Sequence, residues 1–194
     1  MYKIEEIIEA LLFFAGSKDI KTKIVKACYL LESEYFDKTG QRLTDVEYKY
    51  HLYGPYSEAI VTSMMNDRNI LYIPQTSMNG NDYDLFKLKE TSVISKIDPL
   101  TLSLIEKWAK IMQQKTYDEM VNLAYSDKNF KKTEKGKVIK FESDFLRKKQ
   151  LLKKRVKEKF KSRKLTKEES EGLKRAGNED LIRYSRSLLR ESRG

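Results

Sequence analysis

The stretch Tyr50-His51-Leu52-Tyr53-Gly54-Pro55-Tyr56-Ser57 limits the fold more than any other part of the chain. Glycine reaches backbone angles closed to other residues, and proline's fixed φ suits a first helical turn. An extended segment should therefore end here, and Pro55 is expected to open a helix running to about Asp67. In front of the block, Val46, Tyr48, Tyr50 and Leu52 alternate with Asp45, Glu47, Lys49 and His51, the period of a strand. Behind it, residues 57–65 place their apolar side chains on one helical face. Ile70-Leu71-Tyr72-Ile73 and Tyr83-Asp84-Leu85-Phe86-Lys87-Leu88 then read as a hairpin across Asn79-Gly80-Asn81-Asp82. Helix, strand, turn, strand is the order of a winged helix.

The remaining elements read as helices. Ile4, Ile7, Ile8, Leu11, Leu12 and Ala15 lie at helical spacing, with Gly16 to stop the helix. Ile20, Ile24, Ala27, Cys28, Leu31 and Tyr35 repeat the pattern, with Asp19 as the expected N-cap and Gly40 as the stop. Asp98-Pro99 starts a helix with Leu100, Leu104, Ile105, Trp108, Ile111 and Met112 facing inward, Trp108 as a major core residue. Thr116-Tyr117-Asp118-Glu119 is a capping box, followed by a basic loop from Ser126 to Gly136. From Val138 to about Lys164 the pattern predicts a long lysine-rich helix with a thin apolar line, its first half docked and its second half projecting. Short helices capped at Thr166 and Asn178 end the chain. The expected fold class is mainly α with a small β component: a winged-helix-like helical domain with a two-stranded wing over 1–138, and a basic helical arm over 139–194.

Charge separates these regions. Residues 1–130 hold 16 Lys/Arg against 19 Asp/Glu, whereas residues 131–164 hold 16 against 4. A block of one sign is often an arm for nucleic acid or an acidic partner. Apolar runs long enough for a membrane helix do not occur, and the acidic start Met1-Tyr2-Lys3-Ile4-Glu5-Glu6 is unlike a signal peptide. A soluble, cytoplasmic protein is expected. One cysteine, Cys28, excludes an internal disulfide and a cysteine-based zinc site within one chain. A lone histidine, His51, lacks the partners a metal site or triad needs, and no Gly-rich phosphate loop occurs. The chain therefore reads as non-enzymatic, without cofactor or metal.

Lys23-Ile24-Val25-Lys26-Ala27-Cys28-Tyr29-Leu30-Leu31, a loop with Gly40, and then Tyr50 to Ser57 resemble the Panacea domain, also called the SocA-like domain, and the related YwgA-type proteins. In those families a Lys-x-x-Tyr-Leu helix precedes an extended segment ending in aromatic-Gly-Pro, a helix and a two-stranded wing. Tyr117 to Ser126 fits their next helix. Many members carry a histidine near its end and a tryptophan soon after, where this chain has Tyr125 and Phe130. The resemblance covers about the first 140 residues. It implies a module that neutralises a toxin as an antitoxin, or presents a client to a protease as an adaptor.

The expected partner surface is Tyr53, Gly54, Pro55 and Tyr56, the exposed face of residues 57–68 with Arg68, and the wing at 74–83. Gly54 and Pro55 also have a purely structural reading as turn formers, Tyr53 reads more readily as a core side chain than as an interface one, and Tyr56 reads equally as either. The arm, through Lys148, Lys149, Lys153, Lys154, Arg155, Lys157, Lys161, Arg163 and Lys164, is expected to contact nucleic acid non-specifically, because lysine supplies charge rather than base readout. A solvated helix and a membrane-surface helix are the other readings, the thin apolar line arguing against the second. The alternative function is a winged-helix DNA-binding transcriptional regulator with residues 57–68 as recognition helix. In that helix Arg68 stands against Glu58 and Asp67.

Overall fold

A computed structural model describes residues 1–90 and 93–142, together with 151, 152, 154 and 155. The chain divides into two units, Met1–Ser143 and Asp144–Gly194, and the account below concerns the first. Its elements run α1 (Ile4–Phe14), β1 (Lys18–Ile20), α2 (Lys21–Thr39), β2 (Lys49–His51), β3 (Gly54–Tyr56), α3 (Glu58–Asn66), β4 (Ile70–Thr76), β5 (Asp82–Leu88), a 3-10 turn (Val93–Lys96), α4 (Pro99–Gln114), α5 (Tyr117–Ser126) and α6 (Lys128–Lys131). The architecture is mainly helical with small antiparallel sheets, as expected. None of the described helices is long and apolar enough to cross a membrane.

Helix α2 is the axis. Every residue from Ile24 to Ser33 is buried, because α1, α4 and α5 all pack against it. A helix covered all round has to carry polar groups inward, and each then needs a partner. Lys26, Glu32 and Ser33 are those groups. Glu32 accepts from Arg42 Nε (2.6 Å), Leu43 N (2.9 Å), Thr44 N (3.1 Å) and Thr44 Oγ1 (2.8 Å), fastening the chain that follows the helix. Gly40 ends α2 in the left-handed region at φ 72°. The predicted Asp19 cap is replaced: Asp19 lies in β1, and its carboxylate meets Lys23 at 3.1 Å instead of an amide of the first turn.

β1 adds a third strand to the β4–β5 hairpin, giving the order β1-β5-β4. Phe86 and Leu88 of the central strand enter the core. Burying such a phenylalanine contributes roughly 2–3 kcal/mol. Pro74, which has no amide to donate, sits on the edge strand β4, where that costs least.

Four further expectations change. Pro55 opens no helix: Gly54–Tyr56 pairs antiparallel with Lys49–His51, and α3 begins at Glu58. Val138 begins no helix either; it bridges Lys49, Ile139 N donates to Tyr48 O (2.8 Å), and Ile139 and Phe141 pack on the core. Leu100 is exposed and Trp108 half-buried, its indole N–H donating to Glu34 (2.8 Å), while Thr101 and Ala109 take inward places. The basic loop after Ser126 contains α6, whose Asn129 and Phe130 are buried. Asp98 and Thr116 cap α4 and α5 as predicted. The short helices placed after residue 164 lie outside the described residues.

Candidate functional site

The Gly-Pro block forms a tight hairpin held from three sides. His51 pairs with Gly54, so Leu52 and Tyr53 make the turn. Gly54 supplies the turn's left-handed residue at φ +86°, while Leu52 and Tyr53 keep negative φ. From α2, Lys26 reaches beneath the turn, and its Nζ donates to the Pro55 carbonyl at 2.7 Å. Lys26 is 2% exposed. Burial without a carboxylate partner lowers its pKa from 10.5 to about 8, since a low dielectric disfavours the charged form. From α5, the Tyr125 hydroxyl donates to the Leu52 carbonyl. From α6, Phe130 stacks on Tyr50 with ring centroids 4.2 Å apart.

α6 is itself anchored. Asp127 accepts from the amides of Asn129 (2.9 Å) and Phe130 (3.1 Å) at the helix start, and from Ser33 Oγ (2.8 Å) and the Tyr29 hydroxyl of α2. The Lys-x-x-Tyr pair on α2 thus acts at both ends: Lys26 holds the turn, and Tyr29 holds the segment stacked against it. Burial and the bond to Asp127 push the Tyr29 phenol upward.

What this frame presents is a cluster of rings. Leu52 is 59% exposed and Tyr53 57%, at the tip. His51 lies 6.2 Å from the Tyr53 ring and 5.5 Å from the Tyr56 ring. Tyr56 donates to Glu58 (2.6 Å), which pushes its pKa up to about 12. Tyr117 is 40% exposed; its pKa is raised by partial burial and then by Tyr53, Asp118 and Tyr125, so these groups stand near one another. Large amphipathic rings that lose little entropy on contact are the side chains interfaces favour.

Of the expected partner residues, Tyr53 and Tyr56 come together at this tip. Gly54 and Pro55 are buried and shape it from below. Arg68 lies past the far end of α3, about 13 Å of helix away, where its carbonyl accepts from Lys89 Nζ (2.8 Å). Tyr117, Tyr125, Lys26 and Asp127 were not singled out from sequence as site residues. Lys26 was legible in the Lys-x-x-Tyr-Leu pattern and Tyr125 as the residue standing where many family members carry a histidine; Tyr117 carried no signal beyond the capping box and helix register. Among the arm cations, Lys154 and Arg155 are described and exposed, and the other seven lie outside the described residues.

Cys28 is buried and its thiol pushed up by desolvation. Among the described residues, no group of three or more His, Cys, Asp or Glu is placed to hold a metal. What the arrangement presents is exposed side chains on a braced turn. The family described as antitoxin SocA-like, Panacea domain, matches residues 24–131, which span α2 through α6 and the whole hairpin frame. No curated protein and no solved structure matches the chain.

Proposed function

The chain belongs to the antitoxin SocA-like, Panacea-domain family, and from that premise we propose that it is a non-enzymatic, antitoxin-like binding module that holds a protein partner by the hairpin tip. One observation carries the reading: Leu52 and Tyr53 stand exposed on a turn fixed by Lys26, Tyr125 and Phe130. Exposed apolar side chains on a flexible loop would lose entropy on binding; on a braced turn that cost is already met. The partner in this reading is a toxin, or a client delivered to a protease, met in the cytoplasm. The lysine-rich arm adds non-specific nucleic-acid contact.

The regulator reading takes α3 and the β4–β5 hairpin as a winged helix with α3 in a DNA groove. α3 argues against it, because it exposes Glu58 and no cation between Glu58 and Asn66. Phosphate contact needs Lys or Arg on the approaching face.

Co-expression decides between them. A neighbouring gene product that arrests growth alone should be neutralised by the wild-type chain, and Leu52→Ala with Tyr53→Ala should abolish neutralisation while the purified variant keeps its melting temperature. Full neutralisation by that variant removes the hairpin from the interface.

A further inference from the structure

The register of the β1-β5-β4 sheet sorts its side chains onto two faces, since neighbours along a strand alternate and cross-strand partners share a face. Asp19, Phe86 and Tyr72 form one row, and Leu88 with Ile70 belongs to the same face. Phe86, Leu88 and Ile70 are buried there in the core. On the opposite face, Ile20, Leu85 and Ile73 form a row, and Lys18, Lys87 and Leu71 form the next. Ile20, Leu85 and Ile73 are half-buried, yet none belongs to the hydrophobic core or packs against it. Leu71 and Tyr83 on this face are exposed.

Lys18 and Lys87 stand directly opposite one another across the β1–β5 ladder. Both are exposed, and no described carboxylate pairs with either, whereas Lys21 pairs with Asp84. Like charges at opposed positions destabilise a sheet. An aliphatic row that lies outside the described hydrophobic core, beside two opposed ammonium groups, has a definite complement, because a carboxylate between the lysines removes the repulsion while apolar side chains cover the row.

We propose that this face is a second docking surface, and that its occupant is an acidic amphipathic segment of a protein partner. That segment lays aliphatic side chains on Ile20, Leu85 and Ile73 and sets a carboxylate between Lys18 and Lys87. The inference does not rest on the hairpin tip and stands if that surface fails.

The test uses the full chain and a synthetic peptide of about 14 residues with leucine at i, i+3, i+4 and i+7 and glutamate between, against the same peptide with lysine for glutamate. Fluorescence anisotropy should show the glutamate peptide binding and the lysine peptide not. Lys18→Glu with Lys87→Glu should weaken the glutamate peptide about tenfold or more and favour the lysine peptide. Ile73→Ser should weaken the glutamate peptide on the wild-type chain and the lysine peptide on the charge-reversed chain, and Leu52→Ala with Tyr53→Ala should leave binding unchanged. Equal affinity in wild type and the charge-reversed chain overturns the proposal and assigns binding to the lysine-rich segment. Two other results overturn it by naming a different occupant: dimerisation lost on charge reversal means a second copy, and lost recruitment to phosphatidylserine vesicles means a lipid surface.

Discussion

Lys26 makes the turn it supports sensitive to pH. Its folded pKa of about 8 lies below its ordinary value of 10.5, so the folded state binds fewer protons than the unfolded chain between those values. Stability therefore rises with pH across that window, and the cost of the buried charge is present in full below it. Cys28 and Tyr29 act in the opposite sense, with an effect that grows as pH approaches and passes their ordinary values of 9.0 and 10.0. From pH 8 to pH 9 Lys26 should dominate, adding about 1 kcal/mol to the unfolding free energy. Urea titrations should show that rise in the wild type and no rise in Lys26→Met. At Gly54 the constraint is backbone alone: an added Cβ would lie 3.5 Å from Lys26 Cε and Nζ, ordinary contact, but φ is +86°. Gly54→Ala should cost about 1–2 kcal/mol, read as a lowered melting temperature with the Lys26–Pro55 bond retained.

At the scale of elements, the loop after α2 depends on one buried carboxylate. Glu32→Ala would leave Leu43 N, Thr44 N and Thr44 Oγ1 without their acceptor and Arg42 without its ion pair. The expected loss is about 3 kcal/mol, measured by denaturant midpoint at unchanged slope. Elements whose pattern is complete within themselves were legible in the sequence. α1, α4 and α5 announce themselves by 3.6-residue spacing and by Asp98-Pro99 and Thr116-x-x-Glu119. β1 did not, because three residues, Lys18-Asp19-Ile20, hold no period, and the strand exists through β5, more than sixty positions later. Pro55 misled for a related reason. A fixed φ near −65° serves a helix start and an extended strand alike, and pairing with Tyr50 decided between them. The segment from Val138 looked helical by its spacing to Phe141 and Phe145, but Gly136 at φ +79° turns the chain back along β2. In the candidate site, Tyr53 and Tyr56 were visible beside the Gly-Pro pair. Tyr117 was not, and Tyr125 was marked only as the position of the family's histidine, because helix register does not show that packing on α2 brings α5 against the hairpin.

At the scale of the whole molecule, the division of charge separates two kinds of binding. Residues 1–130 carry slightly more acid than base, and the excess of cations falls in residues 131–164. A body of that charge gains nothing from counterion release, whereas each arm cation that meets a phosphate displaces condensed counterions. Duplex DNA binding by the full chain should therefore be of micromolar order and insensitive to sequence, with a steep fall as salt rises. Replacing Lys148, Lys149, Lys153, Lys154, Arg155, Lys157, Lys161, Arg163 and Lys164 by glutamine should abolish it and flatten the salt dependence. Arg68→Ala on the same chain should leave both affinity and slope unchanged. Electrophoretic mobility shifts across a salt series read both quantities. The opposite pattern, with binding that survives the ninefold replacement and collapses in Arg68→Ala, would return the α3 end of the molecule to the DNA and make the regulator reading the right one.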